Sequence, residues 1–230
     1  PLSEGRNERL LQVSVYTLDD DLYGLKPLRG DFHVHTNRSD GKEEPAVVCA
    51  NYRKDGFDFL AITDHRRYFP SLEAIDAYKS IPTGLGIFPG EEVHPPENHI
   101  HIVNFGGSAS VNELFEKDSD GFAAETRALE KTLPDLGEGV DRYEYASCAL
   151  CYEKIRQSGG LAIYAHPHWL NDVFHVTDAM TMRQFRDGLF DAFELLGGQT
   201  QKENNMQTAI YQEARAQGLK IPVVGSSDSH

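Results

Sequence analysis

The stretch GDFHVHTNRSDG, residues 30–41, sets two imidazoles, His33 and His35, and two carboxylates, Asp31 and Asp40, within ten positions. On an extended chain side chains alternate, so Asp31, His33 and His35 share one face and Phe32 and Val34 take the other. Imidazole beside carboxylate can bind a divalent cation or move a proton. An isolated His-x-His pair does not choose between them, and the rest of the chain has to.

The same residue types recur at intervals. "ITDH" carries Asp64 and His65, "GEEVH" carries Glu91, Glu92 and His94, and "HIHIVNF" carries His99 and His101. "AHPHW" brings His166 and His168, "ELLGG" brings Glu194, and "GSSDSH" brings Asp228 and His230. Of the ten histidines, only His175 lies clearly away from a strand or a strand end. Imidazole with carboxylate and no thiolate suits Zn²⁺, Mn²⁺ or Fe²⁺ better than Ca²⁺ or Mg²⁺. The set exceeds what one ion can coordinate, which predicts a multinuclear site with room for a bridging hydroxide.

Such residues need a frame that gathers them. Short β-branched or aromatic runs at 31–35, 58–63, 86–93, 100–105, 161–165, 191–196 and 221–225 read as strands. Between most of them lie helical stretches: "KEEPAVVCANYRKDG", "SLEAIDAYKS", "YASCALCYEKIRQSGG" and "TQKENNMQTAIYQEARAQG", each stopping at glycine or before Pro82. Repeated βα units predict an α/β fold with a mainly parallel sheet, open or closed into a barrel. Either form places its chemistry at the carboxyl ends of the strands. The segment 94–99 is too short for a helix and reads as a bare loop, and 107–142 reads as an excursion. Neither a glycine-rich phosphate fingerprint nor a GxxxxGK[ST] loop occurs.

Composition narrows the partners. The formal charge of −14 over 230 residues argues against gripping nucleic acid or anionic lipid, and leaves a small anionic substrate at a locally cationic site. Three cysteines make no disulfide framework, and Cys148 and Cys151 read as packing residues of a helix. No apolar run is long enough to span a membrane. The N-terminus lacks a signal-peptide pattern, so a cytoplasmic location is the expectation, with a previously removed signal as the alternative.

"DFHVHT", "ITDH", "GEE", "AHP" and "GSSDSH" resemble, in order and spacing, the motifs of the polymerase and histidinol phosphatase (PHP) family across residues 29–230. The resemblance implies a distorted (β/α)₇ barrel preceded by an N-terminal extension, 1–28, and two to three divalent ions (Zn, Mn or Fe). By position, one ion would take His33, His35, Glu92 and Asp228. A second would share Glu92 and take His101 and His166, and a third would take Asp40, His65 and His230. The family's G-x-E spacing favours Glu92 over Glu91, and spacing before "NFG" favours His101 over His99. Asp31 and Asp64 would orient imidazoles. His168 or His94 would protonate a leaving group, and Arg66, Arg67 and Glu194 would face substrate. The implied activity is hydrolysis of a small phosphoester, monoester or diester, by a metal-bridging hydroxide. Its rivals are hydrolysis of an amide or lactone, a nucleic-acid-processing module, and a metal-bearing domain without turnover. Family chains continue past the last motif, so an end at His230 suggests a piece of a longer protein.

Overall fold

The computed structural model describes residues 19–230, so most of the expected 1–28 extension lies outside the described residues. A short exposed helix α1 (Asp20–Tyr23) leads to β1 (Gly30–Asp31), α2 (Pro45–Lys54), β2 (Phe59–Ala61), α3 (Phe69–Tyr78) and β3 (Gly86–Phe88). β1, β2 and β3 pair in parallel, as strands joined by helical crossovers do. Pro45 opens α2, where its missing N–H costs nothing. Val34, Val48, Leu60, Ile62 and Ala74 form the core between this sheet and its helices.

Pro89 interrupts the next strand, and β4 (Gly90–Val93) continues after it. A Cβ on Gly90 would lie 3.0 Å from the Thr63 side chain and 3.1 Å from the Asn104 carbonyl oxygen, so glycine permits the close crossing there. β4 and β5 (His101–Phe105) join without a helix and run antiparallel. α4 (Asn112–Lys117), α5 (Ser119–Thr132) and α6 (Arg142–Gln157) then lead to β6 (Leu161–Ala165), which is also antiparallel to β5. The expectation of a mainly parallel sheet holds with one exception: the bare loop after β4 reverses the chain and leaves β5 opposed to both neighbours.

A ribbon of β7 (Leu170–Asn171) and β8 (Val173–Phe174) and helix α7 (Asp178–Asp187) follow, none of them marked by the sequence reading. β9 (Ala192–Leu196), α8 (Gln201–Ala216) and β10 (Val223–Gly225) complete the second sheet, in the order β10-β9-β6-β5-β4. Thr200 and Glu203 cap α8 reciprocally. The largest core, including Tyr152, Tyr164, Ile155 and Phe193, lies between this sheet and α4–α8; Cys148 and Cys151 pack inside it as free thiols.

Among the described residues, and apart from the β7–β8 ribbon, the regular ladders form two sheets rather than a closed barrel. Isolated bridges, His65 with Glu92 and Val34 with Ser229, join them at both sides. Among the described residues no helix is long and apolar enough to cross a membrane.

Glu91 anchors α4. Its buried carboxylate accepts from Ser110 Oγ at 2.7 Å, Val111 N at 2.5 Å, and Asn112 Nδ2 at 2.8 Å. Asn104 Nδ2 donates to it at 3.1 Å. Glu91→Ala strands these buried donors and is expected to cost about 2–3 kcal/mol. Thermal unfolding should show this as a fall of roughly 5–10 °C, since each kcal/mol shifts a chain this size by a few degrees.

Candidate metal centre

Glu92 is fully buried at the end of the second sheet, next to its bridge with His65. Imidazole nitrogens surround it. His101 Nδ1 lies 3.0 Å away, His94 Nε2 3.2 Å, His166 Nε2 3.3 Å, His33 Nε2 3.6 Å and His35 Nε2 3.8 Å, and His65 Nδ1 is in direct contact. Asp228 Oδ1 approaches His35 Nε2 at 2.9 Å and His33 Nε2 at 3.3 Å. A second group adjoins the first: Asp40 Oδ2 is 3.3 Å from both His65 Nε2 and His230 Nε2, and the rings of His35 and His230 stack at 4.4 Å.

The chain conformation explains this convergence. Asp228 holds a left-handed φ of 45°, a costly conformation for a non-glycine residue. It persists because Asp228 N donates to His33 O, His35 N donates to Ser229 O, and Tyr52 Oη bonds Asp31, Ser227 and Ser229. Gly198 allows the close approach, since a Cβ there would sit 2.2 Å from Ser227 O. Gln199 Nε2 donates to Asp228 Oδ2 at 2.6 Å.

The electrostatics favour cations. Burial opposes the charge on Glu92, but the imidazoles of His101, His33 and His94 outweigh it and hold the carboxyl well below its usual range. Burial likewise opposes charge on His33, and Asp228, Glu194 and Glu92 together push that imidazole well above its ordinary value. His101, where burial dominates, is pushed down to about 3. No lysine or arginine pairs with Glu92 or Asp228 among the described residues. Both Glu92 oxygens, His33 Nε2 and His101 Nδ1 are buried with no hydrogen-bond partner. Buried charges are ordinarily paired or bound to metal. The donor atoms form several sets with mutual separations within 4.8 Å, among them His33–His35–Glu92, Glu92–His101–His166 and His35–Asp40–His65–His230. Orphaned atoms of the right type at the right spacing fit divalent cations.

Several residues stand elsewhere than the sequence reading placed them. Asp31 does not share the imidazole face: the chain bends at Phe32, alternation fails, and Asp31 accepts from Tyr52 and from Ser227 N. Asp64 does not contact an imidazole either; it accepts from Thr36 and from Ser39, whose hydroxyl lies 3.4 Å from His35 Nδ1. Glu194 is not substrate-facing. It is fully buried, and its Oε2 lies 2.8 Å from His33 Nδ1. That bond holds the ring with Nε2 directed at Glu92 and Asp228.

His168 is buried against Asp178 at 2.8 Å, away from the cluster. Pro167 and the turn after it break the alternation that would have aligned it with His166. His94 does join the cluster, 2.9 Å from His65 Nδ1. His99 points outward to Glu144. Arg67 is exposed and donates to the Arg38 carbonyl. Arg66, at φ 59°, lines a cavity of about 680 Å³ whose wall includes His94, Asn98 and Phe115. A second cavity, about 330 Å³, opens over His65, His101, His166, Asp228 and His230, with Trp169 and Gln199 in its wall. Gln199, Tyr52 and Trp169 escaped the sequence reading; the position of Trp169 directly after "AHPH" was the one available signal.

No family model matches the chain. Over 69 residues it is 33% identical to the DNA polymerase/3'-5' exonuclease PolX of Bacillus subtilis, a stretch that is 29% of this chain and 12% of the polymerase. Among solved structures, a provisionally assigned metal-dependent phosphoesterase from Bifidobacterium adolescentis superposes with a TM-score of 0.57 at 21% identity, covering 89% of this chain and 88% of that one. A two-domain protein from Bacteroides vulgatus containing a predicted PHP-like metal-dependent phosphoesterase gives a TM-score of 0.58 at 17% identity, covering 97% of this chain and 57% of that one. An amidohydrolase from Chromobacterium violaceum, with bound sulfate and no metal, gives 0.57 at 17%, covering 88% and 87%.

Proposed function

The chain has the fold of PHP-like metal-dependent phosphoesterase structures, and from that premise we propose that it is a metal-dependent hydrolase of a small phosphoester. The observation that carries this reading is the convergence of six imidazoles on one buried carboxylate whose oxygens have no hydrogen-bond partner.

With β3 and β4 counted as one strand that Pro89 interrupts, the frame is a distorted seven-stranded barrel, not closed by continuous ladders. Its support is a cluster that draws Phe32, Phe59, Ala61, Val103, Phe105, Ile163, Ala165, Ala192 and Val224 from both sheets into a common interior, together with the two bridges that join the sheets.

His33, His35, Glu92 and Asp228 would hold one ion, Glu92, His101 and His166 a second, and Asp40, His65 and His230 a third, with Zn, Mn or Fe the suitable elements. Such cations supply charge neutralisation for the phosphoryl oxygens and a lower pKa for water. The side chains do the rest. Glu194 holds the His33 ring and Gln199 fixes the Asp228 carboxylate. Arg66 offers a guanidinium to an anionic group in the larger cavity. Water attacks phosphorus in line, the P–O bond to the alcohol breaks, and His94 gives its proton to the departing oxygen and regains one from the attacking water.

Turnover of p-nitrophenyl phosphate and bis-p-nitrophenyl phosphate, measured after chelation and again after metal is returned, tests the reaction. Metal-dependent release from either ester is expected; release from neither, with hydrolysis of an amide or lactone instead, would overturn the phosphoester assignment. His94→Asn should lower kcat about 100-fold on an alkyl phosphate, whose poor leaving group needs the proton. On p-nitrophenyl phosphate it should change little. Equal losses on both esters would deny His94 this role, provided metal content is unchanged.

A further inference from the structure

A column of stacked rings runs from the cluster to the surface. His94 stacks on His101 with centroids 4.0 Å apart, and His101 on Trp169 at 5.1 Å and 20°. Trp169 stacks in turn on His175 at 4.8 Å and 25°, and His175 on His99 at 4.9 Å and 10°. The indole N–H of Trp169, the only tryptophan in the chain, donates to the His99 carbonyl at 3.2 Å, which fixes the rotation of the ring.

His101 explains why such a column matters. A metal-binding imidazole needs its ring plane held, and the usual means is a hydrogen bond to its second nitrogen. His33 has that support from Glu194. His101 directs Nδ1 at Glu92, and among the described residues no hydrogen bond holds its other nitrogen. Two flat neighbours hold it instead, His94 and Trp169. The rings lie nearly parallel at offset-stacking distance, a geometry that resists rotation of the imidazole about its own bonds.

We propose that Trp169 is a positioning residue that holds His101 for cation binding, doing by stacking what Glu194 does for His33 by hydrogen bonding. The inference rests on the metal-centre reading and assigns one support of it to a side chain outside the donor sets. Trp169 touches the ligand, not the ion, so its effect passes through His101.

The test is a Zn²⁺ titration of metal-free protein against a chromophoric chelator, for wild type, Trp169→Phe, Trp169→Leu, His101→Ala and the double variant His101→Ala/Trp169→Leu. Trp169→Leu should weaken one Zn²⁺ by about 10–100-fold, the range seen when a ligand loses its outer support. Trp169→Phe keeps a stacking face and should stay within about threefold of wild type. In the His101→Ala background, Trp169→Leu should add nothing, because the residue it acts through is gone. If leucine at 169 unfolds the chain, His175→Ala removes the outer support of Trp169 and should show the same loss in smaller measure. Wild-type affinity in Trp169→Leu, or an equal loss with and without His101, overturns the proposal while leaving the metal centre intact. Failure of wild type to take up Zn²⁺ overturns the metal-centre reading itself, and this inference with it.

Discussion

Glu92→Gln is expected to abolish multinuclear metal binding and lower phosphoester turnover by at least about a thousandfold, the equivalent of roughly 4 kcal/mol of transition-state stabilisation. Glutamine keeps the volume of the side chain, so the packing around it survives. The substitution removes the one carboxylate that belongs to the His33–His35, His101–His166 and His65–His94 groups together. His33 and His166 still face the carboxylates of Asp228 and Glu194, so neither imidazole is stranded beside uncharged groups alone. The variant should therefore fold, with circular dichroism like that of wild type, while elemental analysis shows ions missing. Retained turnover in a folded, metal-depleted variant would show that the reaction does not depend on the centre.

Chelation should act on stability as strongly as on activity. A ligand that binds the folded state alone stabilises it by RT ln(1 + [L]/Kd), about 4 kcal/mol when free metal is a thousand times Kd. For a chain of this length that corresponds to roughly 8–16 °C in the unfolding midpoint. The shift should return when Zn²⁺ or Mn²⁺ is added back. It should be absent in Glu92→Gln, which has already lost the gain. A midpoint that ignores chelator in wild type would mean that imidazoles and carboxylates satisfy one another by sharing protons, with no cation taking part.

How much of this could be read before the structure depends on which physical signal each residue carries. The recurrence of histidine at strand ends is local and periodic, and it is visible in "FHVHT", "ITDH" and "AHPHW". Most strand positions were legible for the same reason, as short apolar runs. The strand expected over 31–35 shortens to Gly30–Asp31, however, and the two-residue strands β7 and β8 carry no such run. Partnership across the chain carries no such signal. Glu194 meets His33 across 161 residues, and nothing in "ELLGG" distinguishes a carboxylate that faces substrate from one that steadies an imidazole. Alternation misleads where the backbone departs from a flat strand. The bend at Phe32 turns Asp31 toward Tyr52, and the turn after Pro167 sends His168 to Asp178. The antiparallel course of β5 follows from a loop whose shortness was evident, although its consequence for the sheet was not drawn from it.

The measurement that bears most directly on the central claim is elemental analysis of the purified protein, reported as moles of each metal per chain. Two to three equivalents of Zn, Mn or Fe, falling sharply in Glu92→Gln, is the predicted result. A protein that carries no bound metal, and takes none up when Zn²⁺ or Mn²⁺ is supplied, contradicts it.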